Sequence, residues 1–276
     1  MMDLKAVEFD FIVNNVKQKK AVYEQLFPLE IIEETHFPVG NNELVFNLFG
    51  SRFHLLDANA DYGLAAPEAD ESFPFWFNVQ VNNVDEIWSQ VLANNGRVLQ
   101  EPTTREGDTL AMFQDPDGYI WRLQSLTETE LTPSVELAFV VPEVEAALES
   151  YNAIFVLDSA AMSDDHQEAS FSLFGTNLRL HEEDEAAGLL ALDEDESLPF
   201  WFNVVVPDLM AVWEKAIAED AQVIQAPTKI EQMGITNAMF SDLEGYVWML
   251  HQIHEVVSFD ERIEYFENEM GLESED

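Results

Sequence analysis

The chain contains no cysteine, and only 12 of its 276 residues are lysine or arginine, against 54 aspartates and glutamates. Without cysteine, disulfides and thiolate metal sites are excluded. A net charge of −42 repels phosphate backbones and anionic membranes, so we expect no nucleic-acid or membrane partner. No apolar run approaches the roughly 18 residues of a membrane span, and the first residues lack an export signal. We therefore expect a cytoplasmic protein with a small-molecule ligand of unknown identity.

A long internal repeat organises the sequence. The letters PFWFNV that begin at Pro74 recur at Pro199, 125 residues later, and the Asp-Gly turn at Gly118 recurs 127 residues later at Gly245. A repeat of this length predicts two related domains in tandem.

We place the first domain at residues 1–127, the second at 128–254, and an acidic C-terminal helix or tail at 255–276. Ser258 and Glu261 have the spacing of a capping box, which predicts where the tail helix begins.

Each half is itself a duplication. The letters VNNV at Val13 recur 68 residues later at Val81, and Gly50 lies 68 residues before Gly118. Alternating and helical apolar patterns between these points give the order strand, helix, strand, strand, strand. The sequence therefore predicts an α+β protein built from four βαβββ units.

The corner motifs and the closing Asp115-Pro-Asp-Gly118 turn resemble those of the vicinal oxygen chelate superfamily of glyoxalase, bleomycin-resistance and extradiol dioxygenase proteins. The resemblance covers nearly everything from Leu4 to Gln252, and within the superfamily it is strongest to the PhnB-like branch. It implies that the units pair into two glyoxalase-like domains whose sheets curl into cups. It also implies that an enzyme of this kind would hold a divalent metal in a cup.

In that superfamily the metal ligands come from the first and last strands of each unit. The first-strand positions fall on Glu8, Trp76, Glu136 and Trp201. The last-strand positions fall on His54, Arg122, Arg179 and Met249. Alternation on the first strand supports this placement, because its apolar residues share one face and leave Glu8 and Asp10 to face the cup.

These positions argue against a metal. A divalent ion needs about three protein ligands or more, whereas any pairing of units supplies only Glu8 and His54, or Glu136 alone. An arginine at a ligand position places a fixed positive charge there. We therefore expect no metal cofactor, and the sequence leaves open which units pair.

Other residues of the repeats are candidate ligand contacts. Asn78 and Asn203 share a strand face with Trp76 and Trp201, so each pair offers either a ligand platform or half-buried packing. His251 is a further candidate, although a satisfied or exposed histidine is the simpler interpretation. The charged positions also suggest two ion pairs, Glu8 with Arg122 and Glu136 with Arg179.

Three functions remain open. The first is a binding protein with a degenerate metal site that holds a small apolar or aromatic molecule in its cups. The second is a metal-dependent lyase or dioxygenase of glyoxalase type that uses Glu8 and His54. The third is an acidic module that binds a basic protein. The sequence favours the first and is compatible with a monomer or a homodimer.

Overall fold

The fold was determined as a computed structural model, which describes residues 5–67, 73–125, 132–192 and 198–271. Within these ranges the chain forms four successive βαβββ units and a final helix, as the repeat predicts. The first unit contains β1 (Ala6–Val13), α1 (Val16–Leu26), β2 (Glu30–Glu34), β3 (Glu43–Leu48) and β4 (Ser51–Asp57). The second contains β5 (Phe75–Gln80), α2 (Val84–Ala93), β6 (Arg97–Arg105), β7 (Asp108–Gln114) and β8 (Ile120–Ser125).

The second half of the chain repeats this order. The third unit contains β9 (Ser134–Val141), α3 (Val144–Phe155), β10 (Ser159–Met162), β11 (Glu168–Leu173) and β12 (Thr176–Glu182). The fourth contains β13 (Phe200–Val205), α4 (Leu209–Ala218), β14 (Gln222–Ile230), β15 (Ile235–Ser241) and β16 (Val247–Ile253), and the final helix is α5 (Phe259–Met270). The capping box predicted at its start is formed by Ser258 and Glu261.

Each eight-stranded sheet combines one unit from each half of the sequence. β1 pairs antiparallel with β13, which joins the first unit to the fourth, and β5 pairs antiparallel with β9, which joins the second to the third. The sheets therefore do not coincide with residues 1–127 and 128–254, and the boundary between 127 and 128 lies outside the described residues. A duplicated sequence offers equivalent strand edges to either partner, so the repeat alone does not decide which units pair.

Two buried tyrosines tie each sheet to the other. The hydroxyl of Tyr119, from the second unit, lies 2.7 Å from the carbonyl oxygen of Ile12 and 3.0 Å from that of Pro199, where β1 meets β13. Tyr246, from the fourth unit, contacts the carbonyls of Pro74 and Val140 in the other sheet in the same way. The tyrosine of each Asp-Gly-Tyr or Glu-Gly-Tyr turn thus fastens the strand junction of the opposite sheet.

Phenylalanines from both sheets form a shared core. The rings of Phe9 and Phe77 lie 5.9 Å apart, and those of Phe75 and Phe200 lie 4.8 Å apart. Side chains on a strand alternate between its two faces, so burying these rings turns the intervening polar residues toward the concave face of each sheet. Among the described residues, no helix is long and apolar enough to cross a membrane.

The Asp-Gly turns serve as buried structural anchors. Asp115 accepts hydrogen bonds from the hydroxyl of Tyr23 at 2.7 Å and from the indole of Trp121 at 3.0 Å. The ammonium group of Lys19, on α1, lies 2.7 Å from Asp115 and 2.8 Å from Asp117. These contacts pack α1 against the hairpin of the second unit.

The second half builds the same anchor without the lysine. Asp242 accepts from Tyr151 at 2.9 Å and from Trp248 at 2.7 Å, but Ala147 stands where the first half has Lys19. Burial raises the pKa of Asp242 to about 6. The second half therefore lacks the cation that the first half places beside this buried turn.

Candidate functional site

The concave face of the first sheet, which we call the first cup, carries the side chains that alternate with the core. On β1, Phe9 is fully buried in the core, whereas Glu8 and Asp10 share the opposite face. The strand register places Asp10 beside His54 on β4 and Glu8 beside Asn203 on β13. Residues from the first and fourth units thus meet on the floor of one cup.

Glu8, Asp10 and His54 form a compact group in which the three potential ligand atoms lie within 4.8 Å of one another. Nδ1 of His54 lies 3.4 Å from an oxygen of Asp10 and 3.7 Å from Oε1 of Glu8. The amide of Asn203 lies 3.3 Å from both carboxylates. Arg52 donates a hydrogen bond to Oε2 of Glu8, so Oε1 is the oxygen that faces the group.

Several buried polar atoms of the first cup have no hydrogen-bond partner in the part of the chain that the structure describes. They are Oδ1 of Asp10, both ring nitrogens of His54, Oδ1 of Asn203 and Nε2 of His251. Buried polar atoms are normally paired, because leaving one unpaired costs about 1–3 kcal/mol. A cation bound among Glu8, Asp10 and His54 would pair the oxygen and nitrogen atoms that face it.

Burial and mutual charge shift the titration of this group. Burial raises the pKa of Asp10 to about 7, although His54 opposes the shift. Burial alone would lower the pKa of His54, but Asp10 and Glu43 together raise it well above its usual value. Glu43 contributes because its carboxylate lies 3.4 Å from Nε2 of His54. Burial lowers the pKa of His251 to about 4, so this imidazole is neutral at physiological pH.

A cavity of about 490 Å³ opens above this floor. Its polar floor includes Glu8, Glu43 and His54, and one wall is apolar. Its apolar wall residues come from β3, β13, β15 and β16, from the turn before β15, and from the start of α5 and the segment before it; they are Val45, Val205, Met233, Ile235, Ile253, Val256 and Phe259. Arg262 on α5 lines the same cavity and donates a hydrogen bond of 2.5 Å to Glu33 on β2. The C-terminal helix is therefore part of the wall of the first cup.

The concave face of the second sheet, the second cup, has a different charge arrangement. Arg179 binds Glu136 through Nε at 2.7 Å and Nη2 at 3.3 Å, and it also contacts Glu168 at 3.2 Å. Asn78 donates to Glu136 at 3.1 Å. Arg122 lies opposite Asn78 in the parallel register of β5 and β8. These side chains line a mainly polar cavity of about 490 Å³.

The structure confirms one of the two predicted ion pairs and contradicts the other. The pair of Glu136 with Arg179 is confirmed. The pair of Glu8 with Arg122 is wrong, because the two residues lie in different sheets, and Glu8 instead contacts Arg52.

The tryptophans face away from the core, as the alternation predicts, but neither lines the two cavities described above. Trp76 packs its ring 4.8 Å from that of His181 and donates to Asn78 at 2.9 Å. Trp201 pairs with Asp10 in the register of β1 and β13, and its indole nitrogen is buried without a partner in the described ranges. Met249 is half-buried and likewise lines neither cavity.

Sequence reasoning placed Asp10 on the cup face of β1 beside Glu8 but did not count it as a ligand. It missed other polar residues of the cups, among them Glu43 and Arg52 in the first cup and Glu168 and His181 in the second. The register of β1 and β4 supplies what the sequence lacked, because it sets Asp10 next to His54. With Asp10 included, the first cup offers three ligands rather than two, so the ligand count that argued against a metal was incomplete.

Comparison with known proteins gives one matching family model and several solved structures of similar fold. The family model of the Glyoxalase/Bleomycin resistance protein/Dioxygenase superfamily matches residues 5–123. Glyoxalase I from Zea mays is similar in fold, with a TM-score of 0.67 and 14% identity over 96% of both chains. A candidate dioxygenase from Bacillus subtilis has a TM-score of 0.59 and 13% identity over 92% of this chain and 86% of its own. A comparison with curated protein sequences found no match.

Proposed function

Because residues 5–123 match the family model of the glyoxalase/bleomycin resistance protein/dioxygenase superfamily, and 96% of the chain shares the fold of glyoxalase I, we propose that this protein is a metal-dependent enzyme. Its metal site would be the first cup, with Glu8, Asp10 and His54 as ligands. The observation that carries this proposal is the buried group of these three side chains, whose potential ligand atoms lie within 4.8 Å of one another.

The residues fit a divalent cation. Two carboxylates and one imidazole suit ions such as Mn²⁺, Fe²⁺, Ni²⁺ or Zn²⁺. One oxygen of Glu8 is directed to the group, while the other is held by Arg52. Glu43 lies beside Nε2, the second ring nitrogen of His54. In metal sites a carboxylate at this position commonly accepts a hydrogen bond from the ligating imidazole and orients it. A bound ion would supply Lewis-acid polarisation of a substrate carbonyl or hydroxyl oxygen.

The remaining residues of the first cup suggest what kind of substrate it takes. Asn203 holds both carboxylates in place through its amide. The apolar wall, which includes Ile253 and Phe259, excludes water and packs against an apolar substrate body. His251 is neutral and offers an unpaired nitrogen that can accept a substrate hydrogen bond or proton. We infer a small molecule with adjacent oxygen atoms at one end and an apolar group at the other.

A second candidate is a metal-free binding protein for an apolar or aromatic molecule. It is favoured by the charge pairs that the first cup already contains, since Arg52 pairs with Glu8 and a protonated His54 lies between Asp10 and Glu43. This candidate predicts that metal-free protein binds members of an aromatic library, detected by quenching of tryptophan fluorescence. It also predicts that added metal leaves that binding unchanged.

The metal proposal predicts that protein freed of metal by dialysis binds close to one equivalent of Mn²⁺ or Zn²⁺ per chain. Glu8→Ala or His54→Ala should weaken binding more than about 100-fold, because even outer-shell losses cost 10–100-fold. Calorimetry and electron paramagnetic resonance of Mn²⁺ measure the affinity and the coordination.

The repeat provides a matched control for this experiment. Glu136 holds the position of Glu8 in the second cup, where Ala138 replaces Asp10, so Glu136→Ala should leave metal affinity unchanged. Loose binding to surface acids would be insensitive to all of these substitutions. Equal affinity in the wild type, Glu8→Ala and His54→Ala proteins would refute the proposed metal site.

A further inference from the structure

The second cup contains an arginine with no partner of its own. Arg122 forms no hydrogen bond and no ion pair within 4 Å to any residue in the described ranges, although it lines the cavity together with Glu136, Glu168 and Arg179. A guanidinium has five N–H donors in a planar fork that matches the two oxygens of a carboxylate or phosphate. All five are without an acceptor in the described ranges, so they are available to a ligand in the cavity.

The two acids nearest to this arginine are already bound. Glu136 accepts two hydrogen bonds from Arg179, and Glu168 accepts a third. The side chain of Glu168 is also 45% exposed, so water screens its charge. The carboxylates therefore do not occupy the donors of Arg122, and the formal charges of the two arginines and two glutamates cancel.

The cavity around Arg122 is suited to a polar molecule. Uncharged polar residues that line it are Asn78, Gln80, Gln124, Ser134 and Asn177. His181 also lines it, and burial lowers the pKa of this imidazole, so it contributes an uncharged polar group whose Nε2 has no hydrogen-bond partner in the described ranges. A volume of about 490 Å³ accommodates a small organic molecule.

Comparison of the two cups shows why an anion fits here rather than a metal. The positions of Asp10 and His54 in the first cup are taken by Ala138 and Arg179 in the second, and that of Met249 by Arg122. Two potential cation ligands are thus lost, and the strands of the second cup carry two arginines where those of the first carry only Arg52, whose position is taken by Asn177. Only 12 lysines and arginines occur in the whole chain, so two in one polar cavity are not explained by an abundance of basic residues.

We propose that the second cup is a binding site for a small hydrophilic oxyanion of the carboxylate or phosphate type, with Arg122 as its principal contact. The guanidinium pairs with two oxygens of the anion, and the neighbouring amide and hydroxyl groups bind its remaining polar atoms. The acidic surface of the protein does not prevent this, because charges more than about 8–10 Å away are largely screened at physiological salt. The site is separate from the proposed metal centre and does not depend on it.

The test is calorimetric titration of the protein after dialysis has removed both metal and chelator. The probes are malonate, succinate and inorganic phosphate, with malonamide and succinamide as uncharged counterparts. At least one anion should bind with a stoichiometry of one per chain, and the diamides should not bind. Binding of carboxylates alone, or of phosphate alone, would support the site and identify the source of the oxyanion.

Variants then assign the binding to Arg122. Arg122→Gln should weaken it roughly tenfold or more, as expected for loss of a charge-assisted hydrogen-bonded pair, and Arg122→Lys should weaken it less. Arg97→Gln removes the same charge from an exposed position and should have no effect. Glu8→Ala should also have no effect, which separates this site from the metal centre.

Thermal unfolding of each variant shows whether the fold is retained. Absence of one-to-one binding by every anion at about 10 mM, a regime that detects even millimolar affinity, would overturn the proposal. Equal binding of diamides and anions would also overturn it, as would equal affinity in a folded Arg122→Gln protein.

Discussion

Replacing Lys19 with methionine is expected to lower the free energy of unfolding by about 3–5 kcal/mol at neutral pH, because it leaves buried carboxylates without their cation. Lys19 is only 3% exposed and lies within 2.8 Å of both Asp115 and Asp117. Burial by itself would raise the pKa of Asp117, but the charge of Lys19 and its hydrogen bond are the main causes that bring this pKa below its usual value. Methionine preserves most of the volume, so the loss reports charge rather than a cavity.

Chemical denaturation at pH 7 measures this effect. Since stabilities of single domains are about 5–15 kcal/mol, the loss would be a large part of the total. The exposed Lys215 on α4 provides a control, and Lys215→Met should change stability by less than about 0.5 kcal/mol. Adding Asp117→Asn to Lys19→Met should recover part of the loss, because one unpaired charge is removed. If Lys19→Met costs no more than Lys215→Met, the buried ion pair does not stabilise the first half.

Replacing Glu244 with glutamine is expected to stabilise the protein above pH 7 and to have little effect near pH 5. Burial, followed by the charge of Asp242, raises the pKa of Glu244 to about 7. A carboxyl group with a raised pKa in the folded state stabilises the fold in its protonated form. That contribution is complete below the unfolded pKa of about 4.5 and is lost as the pH rises through 7.

The size of the effect follows from the pKa shift. Ionisation of Asp242, whose pKa is raised, lowers the free energy of unfolding by about 3 kcal/mol. For Glu244 the corresponding loss is about 1–2 kcal/mol, because its carboxylate is partly in contact with water. Glu244→Gln should therefore gain about 1–2 kcal/mol at pH 8 relative to the wild type. The measurement is denaturant unfolding of both proteins from pH 5 to pH 8.

The first half supplies the opposite result as a control. Asp117 holds the position of Glu244 but is paired with Lys19, so Asp117→Asn should destabilise the protein at neutral pH. A gain from Glu244→Gln that does not change between pH 5 and pH 8 would contradict the assigned titration.

Much of the fold was predictable because each repeated unit has its own alternating or helical pattern of apolar residues. The alternation of Phe75, Phe77 and Val79 against Trp76 and Asn78 identifies the face of β5 that packs in the core, and the structure confirms it. The capping residues of the tail helix and the order of strands within each unit follow from the same short-range rules.

The candidate site was less predictable because its members come from different units. Glu8 and His54 were found from the resemblance, but Asp10 becomes a third ligand only when β1 and β4 lie side by side in register. Arg179 was correctly paired with Glu136, whereas Arg122 was paired with Glu8 across two sheets that do not share a cup.

By itself, therefore, the sequence determined four βαβββ units, their core faces and the residues available to each cup, since all of these depend on neighbours within a few positions. Only the tertiary structure decided that the first unit pairs with the fourth and the second with the third. The edges of β1, β5, β9 and β13 are similar, so the pairing depends on the packing of the whole chain. That pairing is what separates a cup with Glu8, Asp10 and His54 from a cup with Arg122 and Arg179.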